Sequence, residues 1–347
     1  MSHRTILLTG ITGFIAKRIA LDLLLAGFAV RGSVRADKGR ADKGRAEVRA
    51  ALAPHLPDAA LAERLDFVTL DLTSDQGWDK AMVGVDAVIH TASPFPLAQP
   101  RDAQALIRPA VDGALRALRA ADAAGVARVI LTSSTEAIMH GPPGIRTEAD
   151  WSDLTAPTVS FYTQSKTLAE RAAWDYVRDH PGIALTAINP GLVLGRPVDA
   201  EFGSSISVVQ RIMAGRDPML PDLMLPVVDV ADVSRMHIAA LDLRQTVGKR
   251  YLCADRFMTM PHMAQVLRAA YPQRRIARWI APRLALRALA LFDPEIRLVL
   301  PWIGWQGGLD NSAARRDFDM TFIPAQDALL AAAAFVAAQP VTARAGR

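Results

Sequence analysis

Short apolar runs alternate with longer stretches of helical periodicity through the first half of the chain. Ile6-Leu7-Leu8 is the first run, and Ile19, Leu23 and Leu24 follow it at helical spacing. A second run, Ala29 to Val34, comes after Gly27, and others lie at Leu65 to Leu70, Ala87 to His90, Val126 to Leu131 and Leu185 to Asn189. Each is separated from the next by a segment long enough for a helix. Strands covered on both faces read as continuous apolar runs, and their alternation with helices specifies βα repeats. Five to six such repeats predict an α/β fold, a Rossmann-type doubly wound parallel sheet with helices on both faces.

The residues that follow these runs are small or polar. Ligands of open α/β sheets bind beyond the carboxyl ends of the strands, and there the chain carries Asp71-Leu72, Thr91-Ala92-Ser93, Ser133-Ser134 and Asn189-Pro190-Gly191. After the first strand stands Thr9-Gly10-Ile11-Thr12-Gly13-Phe14-Ile15-Ala16. In such a turn the first glycine permits the tight bend, the second lets backbone approach a pyrophosphate, and a small residue at Ala16 allows close helix-strand packing. A glycine turn also occurs in plain structural crossovers, but its place directly after an N-terminal strand favours a dinucleotide site. Thr9, Gly10, Thr12, Gly13, Phe14 and Ile15 are its candidate contacts.

The end of the second strand bears on which dinucleotide. A carboxylate there accepts hydrogen bonds from the ribose of NAD, whereas an arginine meets the extra phosphate of NADP. Val34-Arg35 occupies the place with no acid before it, and Lys38, Arg40, Lys43 and Arg45 follow, so NADP(H) is favoured over NAD(H). Asp37 and Asp42 dilute that charge, and a solvated basic loop is the competing reading. The same stretch holds a tandem duplication, Ala36-Asp37-Lys38-Gly39-Arg40 repeated as Ala41-Asp42-Lys43-Gly44-Arg45, expected to lie in a surface loop, where insertions cost little.

Tyr162 and Lys166 stand four residues apart in a segment where Ser165, Leu168, Ala169, Ala172, Ala173 and Val177 recur at helical intervals, with Glu170 and Arg171 expected to point outward. A tyrosine hydroxyl titrates near about 10, and an ammonium beside it favours the phenolate. A partly buried ring beside a solvated amine is the plain alternative. Farther on, Phe202, Ile206, Met213, Met219, Leu220, Met224 and Leu225 form either a wall for an apolar substrate or ordinary core.

Taken together, the glycine turn with Ala16, the Asp71-Leu72 pair, His90-Thr91-Ala92-Ser93, Tyr162-x-x-x-Lys166 and Asn189-Pro190 resemble the extended short-chain dehydrogenase/reductases, in particular the dihydroflavonol-reductase-like and aldehyde-reductase-like group. The resemblance runs from about Thr5 to Val336. It implies a catalytic set of Ser134, Tyr162 and Lys166, with Ser133 as a neighbour, and cofactor contacts at Arg35, Asp71, Leu72, Thr91, Ala92, Ser93, Tyr162, Lys166, Asn189 and Pro190. The implied reaction is hydride transfer between a nicotinamide and a carbonyl or alcohol substrate, with Tyr162 as proton donor. It also implies a dinucleotide domain over 1–189, rejoined by 226–245, and a smaller C-terminal substrate-binding part over 190–340; the tail from 341 to 347, small and basic with no apolar period, is expected to be disordered. Members of the group occur as homodimers and as monomers.

Departures from better-defined members narrow the substrate. Met139 stands where flavonoid reductases carry a substrate-holding asparagine, and Ser160-Phe161-Tyr162-Thr163-Gln164 differs from the tyrosine segment of cinnamoyl-CoA reductases. Both differences argue against those substrates. Nucleotide-sugar epimerases and dehydratases are the first alternative, because Glu136 falls near the place of the dehydratase glutamate, although Ser134-Thr135 precedes it instead of threonine and aspartate. A non-catalytic NADP sensor is the second, against which the tyrosine-lysine pair argues.

Composition sets outer limits. With 347 residues, 51% hydrophobic and 22% charged, the chain can bury a substantial core. The one cysteine, Cys253, excludes an internal disulfide, and with no cysteine-histidine cluster no metal site is expected. Met1 to Arg4 leads straight into the first strand and no apolar run reaches about 18 residues, so a cytoplasmic protein with neither signal peptide nor membrane span is expected, and no membrane partner. The net charge of +5 collects in part between Arg31 and Arg49 and in the tail, which reads as cofactor contact and solubility and not as nucleic-acid binding.

Overall fold

A computed structural model describes residues 3–35, 40–94, 102–156, 159–292, 296–297, 300–305 and 307–339. The anticipated 341–347 tail and Ala36 to Gly39 lie outside them. Seven parallel strands form the central sheet in the order Lys249–Cys253, Ala184–Pro190, Arg128–Thr132, Ala87–His90, Thr5–Thr9, Ala29–Arg35 and Leu65–Leu70. This is a Rossmann-type α/β sheet. Its direction of growth reverses beside Thr5–Thr9, where the crevice of such sheets opens.

Alternate residues of each strand enter different cores, as the two-residue period of a strand requires. Ile6 and Leu8 pack into one core with Ile19 and Leu23 of helix Phe14–Leu25 and with Val233 and Met236 of helix Val230–Ala240. Leu7 faces the other way, toward Trp78, Leu118, Ala173 and Leu185. The seventh strand, Lys249–Cys253, has no counterpart among the strands expected from apolar runs, because its outer half begins with charged Lys249 and Arg250. At the opposite end of the strands from the crevice, Arg128 donates to Ala184 O at 2.6 Å, to Thr186 Oγ1 at 2.8 Å and to Thr246 Oγ1 at 2.9 Å, tying the sheet to the end of helix Val230–Ala240 through Ala240 O.

Beyond Pro190 the chain builds a three-stranded sheet from Leu192–Leu194, Met224–Asp229 and Arg256–Thr259. Its core takes in Ile206, Met213 and Leu220 together with Ala328, Leu329 and Ala332 of the alanine-rich helix Ala325–Ala338. Small alanines let that helix approach closely, and Gly195 N donates to Ala328 O at 3.0 Å.

The second copy of the duplicated pentapeptide is not loop. It forms the opening turns of helix Arg40–Leu52, whose Val48 and Leu52 are buried. The apolar spacing after Arg45 recruits the preceding residues into helix, and Lys43 pairs with Glu47 one turn on at 3.5 Å.

Candidate active site

The cleft at the carboxyl ends of the strands has a volume of about 760 Å³. One wall is the glycine turn. Gly10 adopts φ 70°, and a Cβ there would lie 3.0 Å from Ala92 Cα, so the turn meets the neighbouring strand end backbone to backbone. Thr9 ties the two together: its Oγ1 accepts from Thr91 N and Ala92 N at 3.1 Å each and lies 2.9 Å from His90 Nδ1. Ser33 Oγ accepts from Gly10 N at 2.9 Å, which fixes the turn against the second strand. Of the residues singled out from the sequence, Thr9, Gly10, Thr12, Gly13, Phe14, Ile15, Arg35, Asp71, Leu72, Thr91, Ala92, Ser93, Ser134, Tyr162, Lys166 and Pro190 all line this one cleft.

Asp71 has its carboxylate turned onto Thr73, accepting from the hydroxyl at 2.6 Å and from the amide at 2.7 Å. Those bonds hold it below the usual carboxylate range against the opposing effect of burial, with Arg35 and Arg116 adding to the lowering. Arg35, at the end of the second strand, thus acts on a carboxylate that Thr73 already engages.

Helix Phe161–Asp179 supplies the opposite wall. Ser160 caps it, accepting from Thr163 N at 3.0 Å in a reciprocal capping box, and the first turn delivers Tyr162 into the cleft. Lys166 lies one turn on, buried, with Nζ 5.9 Å from the Tyr162 ring centroid and 3.5 Å from Thr132 O. Burial pulls its ammonium down to about 8, and the Glu170 carboxylate acts against that. The Tyr162 hydroxyl is pushed above its ordinary value by burial and by Glu136, while a hydrogen bond with Ser134 pulls it back. Within the protein alone the phenol thus stays protonated, and the group that lowers it is Ser134 and not the lysine neighbour from which lowering is expected.

The adjacent serines part company. Ser134 Oγ accepts from Glu136 N at 3.2 Å and bonds Tyr162, whereas Ser133 Oγ donates to Glu170 Oε2 at 2.5 Å.

Two expectations are corrected here. Glu170 is not outward but fully buried: Arg250 Nε donates to its Oε1 at 2.5 Å and Asn189 Nδ2 to its Oε2 at 2.7 Å, so partners on two other strands draw the carboxylate inward. Asn189 does not reach the cleft either. Its side chain is buried behind the wall and donates to Ser134 O at 3.0 Å, leaving Pro190 and Gly191 as lining. The apolar series Ile206, Met213 and Leu220 proves to be core. That part of the chain contributes instead Gly203, Ser204 and Ser205, where a small-residue cluster opens helix Ser204–Ala214. This cluster was legible as a helix start but not as cleft lining. Glu136 is also engaged elsewhere, by His140 Nε2 at 2.8 Å and Thr163 Oγ1 at 2.6 Å; burial opposes its ionisation, but these bonds hold it below the ordinary carboxylate value. Cys253 is buried, and among the described residues no cluster of metal-ligating side chains occurs.

Sheet topology and crevice together define a Rossmann-type α/β protein with its cleft at the switch point of the strand order. The chain belongs to the NAD dependent epimerase/dehydratase family, whose pattern matches residues 6–254, the extended short-chain dehydrogenases/reductases. It is 31% identical over 276 residues to cinnamoyl-CoA reductase 1 of Arabidopsis thaliana, covering 78% of this chain and 76% of that protein. It is 32% identical over 343 residues to the ketoreductase azaE of Aspergillus niger, covering 92% and 93%. Among solved structures, the yeast methylglyoxal/isovaleraldehyde reductase complexed with NADPH superposes with a TM-score of 0.77 at 23% identity, covering 96% of this chain and 98% of that one.

Proposed function

We propose that this protein is an NADP(H)-dependent reductase that converts an aldehyde or ketone to an alcohol. The observation that carries the reading is one wall of one cleft: Ser134 hydrogen-bonded with Tyr162, Lys166 buried a turn away, and a glycine turn opposite. The residues present fit a dinucleotide. Gly10 is where an added Cβ would meet backbone, the volume of about 760 Å³ is in the range of ligand clefts, and Arg35 lines the cleft at the end of its strand, near an Asp71 carboxylate that Thr73 already engages. Arg35 favours the phosphate-bearing cofactor, and the yeast reductase of the same fold was solved complexed with NADPH. On this reading residues 1–189 hold the cofactor, and 190–340 mainly wall the substrate.

When bound, the reduced nicotinamide supplies a hydride to the carbonyl carbon. Tyr162 Oη gives its proton to the carbonyl oxygen; its surroundings keep the phenol protonated, and charge stabilisation of the phenolate is what lets it donate. Lys166, with a value near 8, is largely charged at neutral pH and stabilises the phenolate left behind. Ser134, already bonded to Tyr162, holds the carbonyl oxygen in line. Glu136 does not line the cleft and is bonded to His140 and Thr163, which weakens the dehydratase reading.

General acid catalysis is worth roughly 10²- to 10⁴-fold. Tyr162→Phe is expected to lower turnover by at least about two decades while NADPH binding, followed by fluorescence titration, changes little. The assay is NADPH oxidation over a panel of aldehydes, ketones and 2-oxoesters, with NADH in parallel. Equal turnover in wild type and mutant, or loss of NADPH binding in the mutant, contradicts the proposal.

A further inference from the structure

One stretch after the cofactor-binding part of the chain carries basic residues without acidic ones. Between Met260 and Phe292 there are six arginines and no aspartate or glutamate; with +5 for the whole chain, the remainder carries −1. This stretch also presents four of the five most exposed large apolar side chains among the described residues. Trp279 is 73% exposed, Leu284 76%, Leu291 72% and Phe292 87%.

They fall on or just past consecutive short elements. Trp279–Ile280 pairs in parallel with Met219–Leu220, and three residues on begins helix Arg283–Leu289. In that helix Leu286 is buried and Leu284, Arg287 and Ala288, three to four apart, are exposed; just past its end Ala290 is buried and Leu291 exposed. Next to Trp279 a cleft of about 530 Å³ is lined by Arg268, Arg274, Arg275 and Arg278. Asp217, also in its lining, has both carboxylate oxygens on Arg211, at 2.8 and 3.1 Å, so its charge is already met.

We propose that this face docks peripherally on an anionic phospholipid surface, with the arginine-lined cleft taking a phosphate headgroup and Trp279, Leu284, Leu291 and Phe292 entering the interface. A cationic surface that also displays an indole and long aliphatic chains matches both halves of such a bilayer, its negative headgroups and its acyl boundary. A second copy of the chain matches it poorly. A two-fold contact would set Arg278, Arg283 and Arg287 against themselves, with no carboxylate in the stretch to offset them. A nucleic-acid backbone would leave the leucines without a counterpart. The described residues include no helix long and apolar enough to cross a membrane, so the contact is with the surface only. The sequence-based expectation of no membrane partner rested on spans, which this face does not require.

The test is flotation of the full chain with vesicles of phosphatidylcholine alone or containing about 30 mol% phosphatidylglycerol, at low and high salt. Binding to the anionic vesicles at least about tenfold tighter than to the neutral ones, weakened by salt, is expected. Arg278→Gln/Arg283→Gln/Arg287→Gln and, separately, Trp279→Ser/Phe292→Ser are each expected to lower it several-fold. Thermal melts identify any variant that fails to fold, and single substitutions at the same positions then replace it. The proposal is overturned by equal flotation on both vesicle types, by full binding of the Trp279→Ser/Phe292→Ser chain, or by a dimer in solution that those two substitutions dissociate.

Discussion

Glu170 illustrates how much a single side chain can depend on partners that are remote in sequence. It sits one helical turn beyond Lys166 and receives bonds from Ser133, Asn189 and Arg250, which come from the ends of two neighbouring strands and from the edge strand. Glu170→Gln keeps the size and removes the charge, leaving the Arg250 guanidinium buried without its carboxylate. Breaking a buried pair by one partner costs about 3–5 kcal/mol, which a lowered urea midpoint would register. The same substitution removes the negative charge that holds Lys166 up. The lysine value, about 8 in the intact protein, is expected to fall, and the alkaline limb of the turnover profile to move to lower pH. An unchanged profile in a folded mutant would mean that Glu170 serves only packing.

At the scale of elements, helix Phe161–Asp179 places Tyr162 within its first turn, so the cap matters to chemistry as well as to folding. Ser160→Ala removes the acceptor of Thr163 N and one half of the capping box, and is expected to cost about 1 kcal/mol in chemical denaturation. Because fraying begins at Phe161, turnover should fall more than cofactor affinity. Excision of Ala41–Arg45 is the reverse case. The chain that remains still presents one Ala-Asp-Lys-Gly-Arg copy before Ala46, so the helix regains the same opening sequence, and the shortened connection changes closure entropy by less than about 1 kcal/mol. A melting temperature within a few degrees of wild type is expected, with any change confined to NADPH affinity. A collapse of the fold would show that both copies are needed to span the strand-to-helix distance.

At the scale of the whole molecule, two buried histidines hold elements together in neutral form: His237 joins helix Val230–Ala240 to Thr132 Oγ1 of the sheet, and His90 joins its strand to Thr9 Oγ1 of the next. His90 is lowered to about 3, by burial first and then by Lys166, and His237 to about 4 by burial, against the pull of its bond to Val233 O. Both folded values lie below the unfolded one near about 6.5, so the unfolded chain binds protons first as pH falls. Their contribution is complete above that value and is lost progressively on acidification toward about 4 and then about 3. Between pH 7 and 5 each histidine is expected to remove roughly 2 kcal/mol, and together they should give a steep fall in the urea midpoint that His237→Gln makes shallower. A midpoint flat across that interval would place both side chains in contact with water.

Local chemistry made much of this protein legible from its residues alone. Continuous apolar runs mark buried parallel strands wherever they occur, a glycine turn between strand and helix needs no distant partner to form, and the spacing of Tyr162 and Lys166 puts both on one helix face. The strands, the cleft end of the sheet and most of its lining follow from such short-range rules. What distance along the chain conceals was decided by the tertiary structure. Glu170 turned inward because Arg250, eighty residues away, supplies the countercharge. Asn189 withdrew behind the wall to bridge Ser134 and Glu170, Lys249–Cys253 became a strand because the edge of the sheet offered it a ladder, and Ile206 and Met213 became core because the helix Ala325–Ala338 closed over them. Periodicity records what each residue prefers against water, whereas the pairing of buried charges and the closing of a core depend on which segments meet in space.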